Sequence, residues 1–146
     1  MPADTVLVRA AAPRDLDAVA AIQADCPQAA QWNVRDYLEH DFLVAERGER
    51  VVGFAVARPL GEGEAEILNL AVAPEFRRRG VARGLFEALQ KRRSGHLYLE
   101  VRESNQEARK FYQMLGFQEV GRRDGYYDQP PEAAIVMKFL SCYCHK

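Results

Sequence analysis

The chain has 146 residues, 48% of them hydrophobic and 28% charged, the balance of one ordinary globular domain rather than a disordered or collagen-like chain. Twenty Lys and Arg against 21 Asp and Glu leave a formal net charge of -1, which offers no global attraction for nucleic acid or an anionic membrane. No apolar run approaches the ~20 residues of a membrane span, and Met1-Pro2-Ala3-Asp4-Thr5 lacks the regions of a secretory signal, so a cytoplasmic location is expected.

Three cysteines, with Cys142 and Cys144 one residue apart, read as reduced thiols rather than a staple. Cys142, Cys144 and His145 have no second ligand pair elsewhere, so no metal site is expected.

In chain order, Val6-Leu7-Val8 reads as a first strand. Pro13-Arg14-Asp15 opens a helix carrying Leu16, Val19, Ala20, Ile22 and Gln23 and ending before Pro27. Asn33 is the expected N-cap of a second short helix through Tyr37 and Leu38, with Trp32 before it as a hydrophobic staple. Phe42 to Glu46 and Val51 to Ala57 read as strands joined by a turn at Arg47-Gly48-Glu49-Arg50. After a turn at Gly61-Glu62-Gly63, the more apolar Glu66 to Val72 reads as a central strand that Pro74 stops.

Gly80 begins a helix with apolar positions Val81, Leu85, Phe86 and Leu89. Gly84 inside it suggests a close approach, because a helical glycine costs roughly 1 kcal/mol against alanine. Leu97 to Val101 is a strand. Ser104 and Glu107 have capping-box spacing for the next helix, with Asn105 as the competing cap. Ala108, Phe111, Tyr112 and Leu115 follow at helical spacing, and Gly116 with Phe117 fits a Schellman ending. Strands around Phe117 to Arg122 and Ala134 to Phe139 close the chain. The order β-α-α-β-β-β-α-β-α-β-β predicts an α/β (α+β) fold: a single domain over residues 1–146, its mixed central β-sheet flanked by helices.

Arg77-Arg78-Arg79-Gly80-Val81-Ala82 joins a central strand to a helix. A glycine lets backbone approach a ligand, and the first helical N–H groups, unpartnered within the helix, suit a pyrophosphate. Arg78, Arg79 and Arg83 add positive charge there. On basicity alone a solvated basic turn is the favoured reading, because short arginine runs are common, and no interleaved aromatics point to nucleic acid.

Arg77-x-x-Gly80-x-Ala82 after Leu70-Ala71-Val72 and Pro74 resembles the acyl-CoA pyrophosphate loop of the GNAT N-acetyltransferase superfamily. Leu99-Glu100-Val101-Arg102-x-Ser104-Asn105 and Phe111-Tyr112-x-x-Leu115-Gly116-Phe117 resemble its later motifs. The resemblance covers nearly the whole chain. With Arg123-x-x-Tyr126-Tyr127 it is most similar to the RimI-type branch, which acetylates the α-amine of a ribosomal protein beginning with alanine. The adjacent acidic pair of that branch is replaced here by Glu132-Ala133.

The resemblance implies acetyl-CoA as co-substrate and roles by position. Leu70, Ala71 and Val72 would offer main-chain groups to the pantetheine arm. Arg78, Arg79, Gly80, Val81, Ala82 and Arg83 would cradle the pyrophosphate, and Asn105 would bond the cofactor. Glu100 would be the general base, its alternative being a strand carboxylate paired with Arg102 or Arg58. Tyr112 would be the general acid, its alternative being core packing in the stripe with Phe111 and Leu115. Trp32, Tyr126 and Tyr127 are the expected acceptor side, the tyrosines in a loop before the last strand. His40, His96 and His145 receive no role.

The expected partner is a protein N-terminus. A lysine or small-molecule amine is the alternative acceptor, and a non-catalytic acyl-CoA-binding module is the alternative outside enzymes. No cysteine lies where a nucleophile is implied, so direct attack in a ternary complex is expected.

Overall fold

The structure is a computed structural model that describes residues 5–27, 29–92, 95–128 and 131–139. Cys142, Cys144 and His145, with the tail from Ser141 to Lys146, lie outside them.

The strands are β1 (Val6–Ala10), β2 (Asp41–Arg47), β3 (Arg50–Gly61), β4 (Glu64–Val72), β5 (His96–Arg102), β6 (Gln118–Asp128) and β7 (Pro131–Phe139). The helices are α1 (Leu16–Ala24), α2 (Val81–Arg92) and α3 (Gln106–Leu115). The seven strands form one sheet in the order β1-β2-β3-β4-β5-β7-β6. β4 takes the central position that its apolar sequence predicted. It pairs in parallel with β5 over Glu64–Glu66 against His96–Tyr98, while β5-β7 and β7-β6 are antiparallel, so the sheet is mixed. No helix among the described residues is long and apolar enough to cross a membrane.

By internal contacts the chain divides into two compact units: Met1–Arg58 with Ile67–Arg92, and Pro59–Glu66 with Arg93–Lys146. In the first, the β2–β3 register sets the side chains of both strands on two faces. Phe42 and Val44 lie opposite Val56 and Phe54, and Tyr37 packs there on Phe42 and Phe54 with ring centroids 5.5 and 5.8 Å apart. The other face carries Leu43, Ala45, Ala55 and Gly53; a Cβ on Gly53 would stand 3.2 Å from Val81 and from Leu85 of α2. The predicted apolar stripe of α2, Val81, Leu85, Phe86 and Leu89, is buried.

Pro13–Asp15 is a 3₁₀ turn ahead of α1, and the second helix is a 3₁₀ turn over Val34–Glu39. Asn33 caps it as predicted, its Oδ1 accepting from Arg35 N at 3.0 Å. Trp32, just before the cap, has half its surface exposed.

In the second unit the C-terminal end of α3 packs through Phe117 toward Phe139 of β7. Tyr112 and Phe117 rings are 5.3 Å apart, and Phe117 and Phe139 5.4 Å. The Schellman ending forms as predicted: Phe117 N donates to Tyr112 O at 2.9 Å, and Gly116 takes φ 112°. Asn105 is the N-cap, accepting from Ala108 N at 3.1 Å. Ser104 does not form the capping box; its own N–H donates to the carboxylate of Glu132.

Candidate active site

In the first unit the strand-to-helix loop is shaped by its backbone. Arg78 has φ 62°, the one described non-glycine residue with positive φ, and Gly80 has φ 81°. A left-handed backbone costs an ordinary residue roughly 1–2 kcal/mol, and such strain collects at ligand-binding sites. Kinks of this kind turn successive N–H groups to one side, making an anion nest. Gly84 N bonds back to Gly80 O at 3.0 Å, so the N–H groups of Val81, Ala82 and Arg83 precede the helical ladder.

The arginines divide. Arg77 turns inward, its Nε donating to Val72 O at 3.3 Å and its Nη2 to Cys26 Sγ at 3.2 Å. Arg79 lies over the ring of Phe76 at 5.6 Å, beside Arg47 at 5.3 Å and Arg50 at 5.0 Å. Arg78 and Arg83 are exposed at the helix start. Cβ atoms built on Gly80 and Gly84 would meet nothing within 4 Å. Gly84 therefore serves no close approach of protein, as its helical cost suggested, and the surface beside the nest is open. The nest, two arginines and open glycine surface fit a pyrophosphate.

Leu70, Ala71 and Val72 are less free than expected. Leu70 N donates to Asn69 Oδ1 at 3.0 Å. Val72 O accepts from Arg77 and from Cys26 Sγ, the latter at 3.5 Å. Ala71 O stands 3.1 Å from a Cβ built on Gly53. These three groups are thus engaged or walled within the unit.

In the second unit Glu100 projects from β5 with its side chain 13% exposed, and Oε2 accepts from Arg123 Nη1 at 2.9 Å. Arg123 was legible in the motif but not as this partner. Its guanidinium also lies over the ring of Tyr126, 4.5 Å from the centroid. The neighbouring tier repeats the pattern: Arg102 lies 4.2 Å over Tyr127 and pairs with Glu132 at 3.4 Å.

Tyr126 and Tyr127 are not in a loop. β6 runs on to Asp128, with Tyr127 opposite Glu132 across an irregular register after Arg123. Tyr126 is 41% exposed and hydrogen-bonds Glu100; burial first, and the Glu100 charge second, raise its phenol pKa. The same two causes push Tyr127 up to about 12. Glu132, alone where an acidic pair was expected, holds Ser104 and Arg102, while Ala133 is buried.

Tyr112 is 7% exposed, and burial raises its phenol well above the ordinary value. No hydrogen-bond partner of its hydroxyl occurs among the described residues. Passing a proton from a phenol (pKa about 10) to a thiolate (about 8.5 for the thiol) is uphill by about 2 kcal/mol before any burial. A phenol held neutral by burial is a hydrogen-bond donor rather than a ready source of free protons. Asn105 spends Oδ1 on its cap, which leaves Nδ2 for a ligand. Among the described residues no group of His, Cys, Asp or Glu is placed to hold a metal ion.

One buried polar trio escaped the sequence reading: Gln23, Tyr37 and Asn69. The signal was there for Asn69, which occupies the inward register of β4 with Ala65, Ile67 and Ala71.

A mixed sheet whose central strand runs into an anion nest fits the acyltransferase class. The acetyltransferase (GNAT) family matches residues 13–117, and the chain belongs to that family and is an N-acetyltransferase. It is 36% identical to the "N-alpha-acetyltransferase RimI" of Mycobacterium tuberculosis, over 94% of this chain and 96% of that one. It is 38% identical to the "[Ribosomal protein bS18]-alanine N-acetyltransferase" of Haemophilus ducreyi, over 75% and 74% of the two chains. The crystal structure of the ribosomal-protein-S18-alanine N-acetyltransferase from Escherichia coli superposes with a TM-score of 0.79 at 28% identity, covering 94% of each chain.

Proposed function

We propose that the chain transfers acetyl from acetyl-CoA to the α-amine of a protein N-terminus, with alanine at the N-terminus of a ribosomal protein as the leading acceptor, in the cytoplasm and as one domain over residues 1–146. The observation that carries this is Glu100, a nearly buried carboxylate held by Arg123 and bonded to Tyr126. The acceptor comes from the three relatives above, each named for α-amine or alanine acetylation.

The residues divide the work. The nest from Arg78 to Arg83 and its arginines neutralise the pyrophosphate. Leu70, Ala71 and Val72 line the acyl arm with the main-chain groups left to them, and Asn105 bonds it through Nδ2. Trp32, Tyr126 and Tyr127 meet the acceptor chain. The amine, ordinarily of pKa about 7.7–8.0, is partly neutral at pH 7 and attacks the thioester carbonyl. A C–N bond forms and the C–S bond breaks. Glu100 takes the proton that nitrogen loses, and Tyr112 supplies one toward the departing sulfur, so the exchange is proton-neutral. No cysteine intervenes.

Acetyl-CoA turnover with peptides beginning Ala, Ser, Met or Gly, and an internal-lysine peptide as control, tests the reading. Turnover of Ala and Ser peptides is expected. Acetylation of only the lysine peptide overturns the acceptor, and binding without turnover on any amine overturns catalysis.

A further inference from the structure

Apart from the ion-paired Asp15, three polar side chains lie buried in the apolar core of the first unit. Gln23 on α1 is 6% exposed, Asn69 on β4 7%, and Tyr37 1%. The Tyr37 hydroxyl donates to Gln23 Oε1 at 2.6 Å. Asn69 Nδ2 lies 3.2 Å from that oxygen and 3.1 Å from the Tyr37 hydroxyl, closing a triangle.

The donors left over converge on one short segment. Gln23 Nε2 donates to Trp32 O at 2.7 Å, and Asn69 Nδ2 to Ala30 O at 2.9 Å. From within the segment, Gln31 Nε2 donates to the carbonyls of Gln23, Cys26 and Ala29 at 2.9, 3.1 and 3.1 Å. Residues 30–32 have no helix or strand of their own. What they present is Trp32, the chain's one tryptophan, 50% exposed.

A buried amide left unpaired costs about 1–3 kcal/mol, so such a trio is a risk that leucine, methionine and phenylalanine would avoid. Here its capacity is spent on tethering a loop. A large side chain exposed on a tethered loop loses little entropy when a partner covers it. Asn69 has a second attachment, since Oδ1 accepts Leu70 N, so one amide joins this loop to the end of the central strand.

We propose that Gln23, Tyr37 and Asn69 are positioning residues that hold the Trp32 loop in place for the acceptor polypeptide. This rests on the N-terminal acetyltransferase reading and assigns the acceptor side a mechanical support.

Tyr37→Phe removes one hydroxyl and keeps the ring on Phe42 and Phe54; Gln23→Met removes the amide at similar volume. KM for an alanine-starting peptide should rise about three- to tenfold, as small misplacements of a contact residue produce. KM for acetyl-CoA and kcat should stay within about twofold, since both substitutions leave Asn69 and its bond to Leu70 in place. Trp32 fluorescence, a direct report on the loop, should show faster acrylamide quenching and lower anisotropy. In a Trp32→Ala background, Tyr37→Phe should leave the acceptor KM where Trp32→Ala has put it. The inference is overturned if the variants lower Tm while acceptor KM and quenching stay at the parent's values, or if both KM values rise together. Should Gln23→Met not fold, Tyr37→Phe carries the test. A parent that acetylates no α-amine peptide refutes the acceptor reading instead, and unchanged quenching in Tyr37→Phe still overturns the inference.

Discussion

Arg123 donates to Glu100 at 2.9 Å while its guanidinium lies 4.5 Å over the ring of Tyr126. Residues 23 positions apart meet because β6 and β5 both pair with β7: Arg102 and Arg123 each lie opposite Ala134. The carboxylate proposed as the base thus has a charged partner that is itself stacked on an exposed aromatic ring.

Glu100→Gln removes the proton acceptor and should lower kcat by about 10²–10⁴, the usual weight of a general base. Arg123→Gln should lower kcat about tenfold by releasing the carboxylate from its orientation. Its guanidinium is 58% exposed, so the ion pair adds at most about 1 kcal/mol to stability and Tm should barely move. Steady-state kinetics beside thermal melts check both.

Tyr112→Phe should keep the packing with Phe111 and Phe117 and lower kcat by about 10²-fold or more, with acetyl-CoA KM little changed. An unchanged kcat removes its catalytic role. The raised phenol pKa has a second consequence. Above about pH 10 an unfolded chain ionises this group while the folded chain holds it neutral, so stability falls as pH rises from there toward the folded value. Alkaline melts of Tyr112→Phe should fall less steeply than the parent's.

At the loop, charge and strain separate. Arg78→Gly relieves the positive φ and should raise stability by about 1 kcal/mol, yet weaken acetyl-CoA binding. Arg78→Ala keeps the strain and loses the same charge. Gly80→Ala forces a side chain into φ 81° and should cost about 1 kcal/mol and raise acetyl-CoA KM. Calorimetric titration at two salt concentrations reads the charge part, because both Arg78 variants should lose salt dependence.

Acid stability should depend on Asp15, whose side chain is 5% exposed and takes two hydrogen bonds from Arg9 at 2.8 and 2.9 Å. Arg9 holds that carboxyl below its ordinary range, so its stabilisation is present above about pH 4 and is lost as pH falls through the lowered folded value. Asp15→Asn should cost about 2–3 kcal/mol at pH 7 and flatten the acid limb of Tm against pH. Glu75→Gln, which breaks an exposed pair with Arg50, should do neither.

Much of this molecule was legible locally. The Asn33 cap, the Schellman ending at Gly116, the stripe of α2 and the apolar central strand each depend on residues a few positions apart, and each formed. Where two local signals competed, distance decided. Ser104 lost the α3 cap to Asn105, and its N–H went to Glu132, 28 positions away. Tyr126 and Tyr127 were expected in a loop before the last strand, but pairing with β7 carries the strand past them.

The sequence by itself determined the order of elements, the family motifs and which residue types could do acyl-transfer chemistry, because spacing along the chain sets helix faces, caps and strand ends. Only the tertiary structure decided what those residues touch. It turned Arg77 inward to Cys26, laid Arg79 on Phe76, set Arg123 on Glu100 and joined Gln23, Tyr37 and Asn69 beneath Trp32. Such partners are chosen by strand register and packing between distant segments, where a one-residue slip along a strand would exchange its faces.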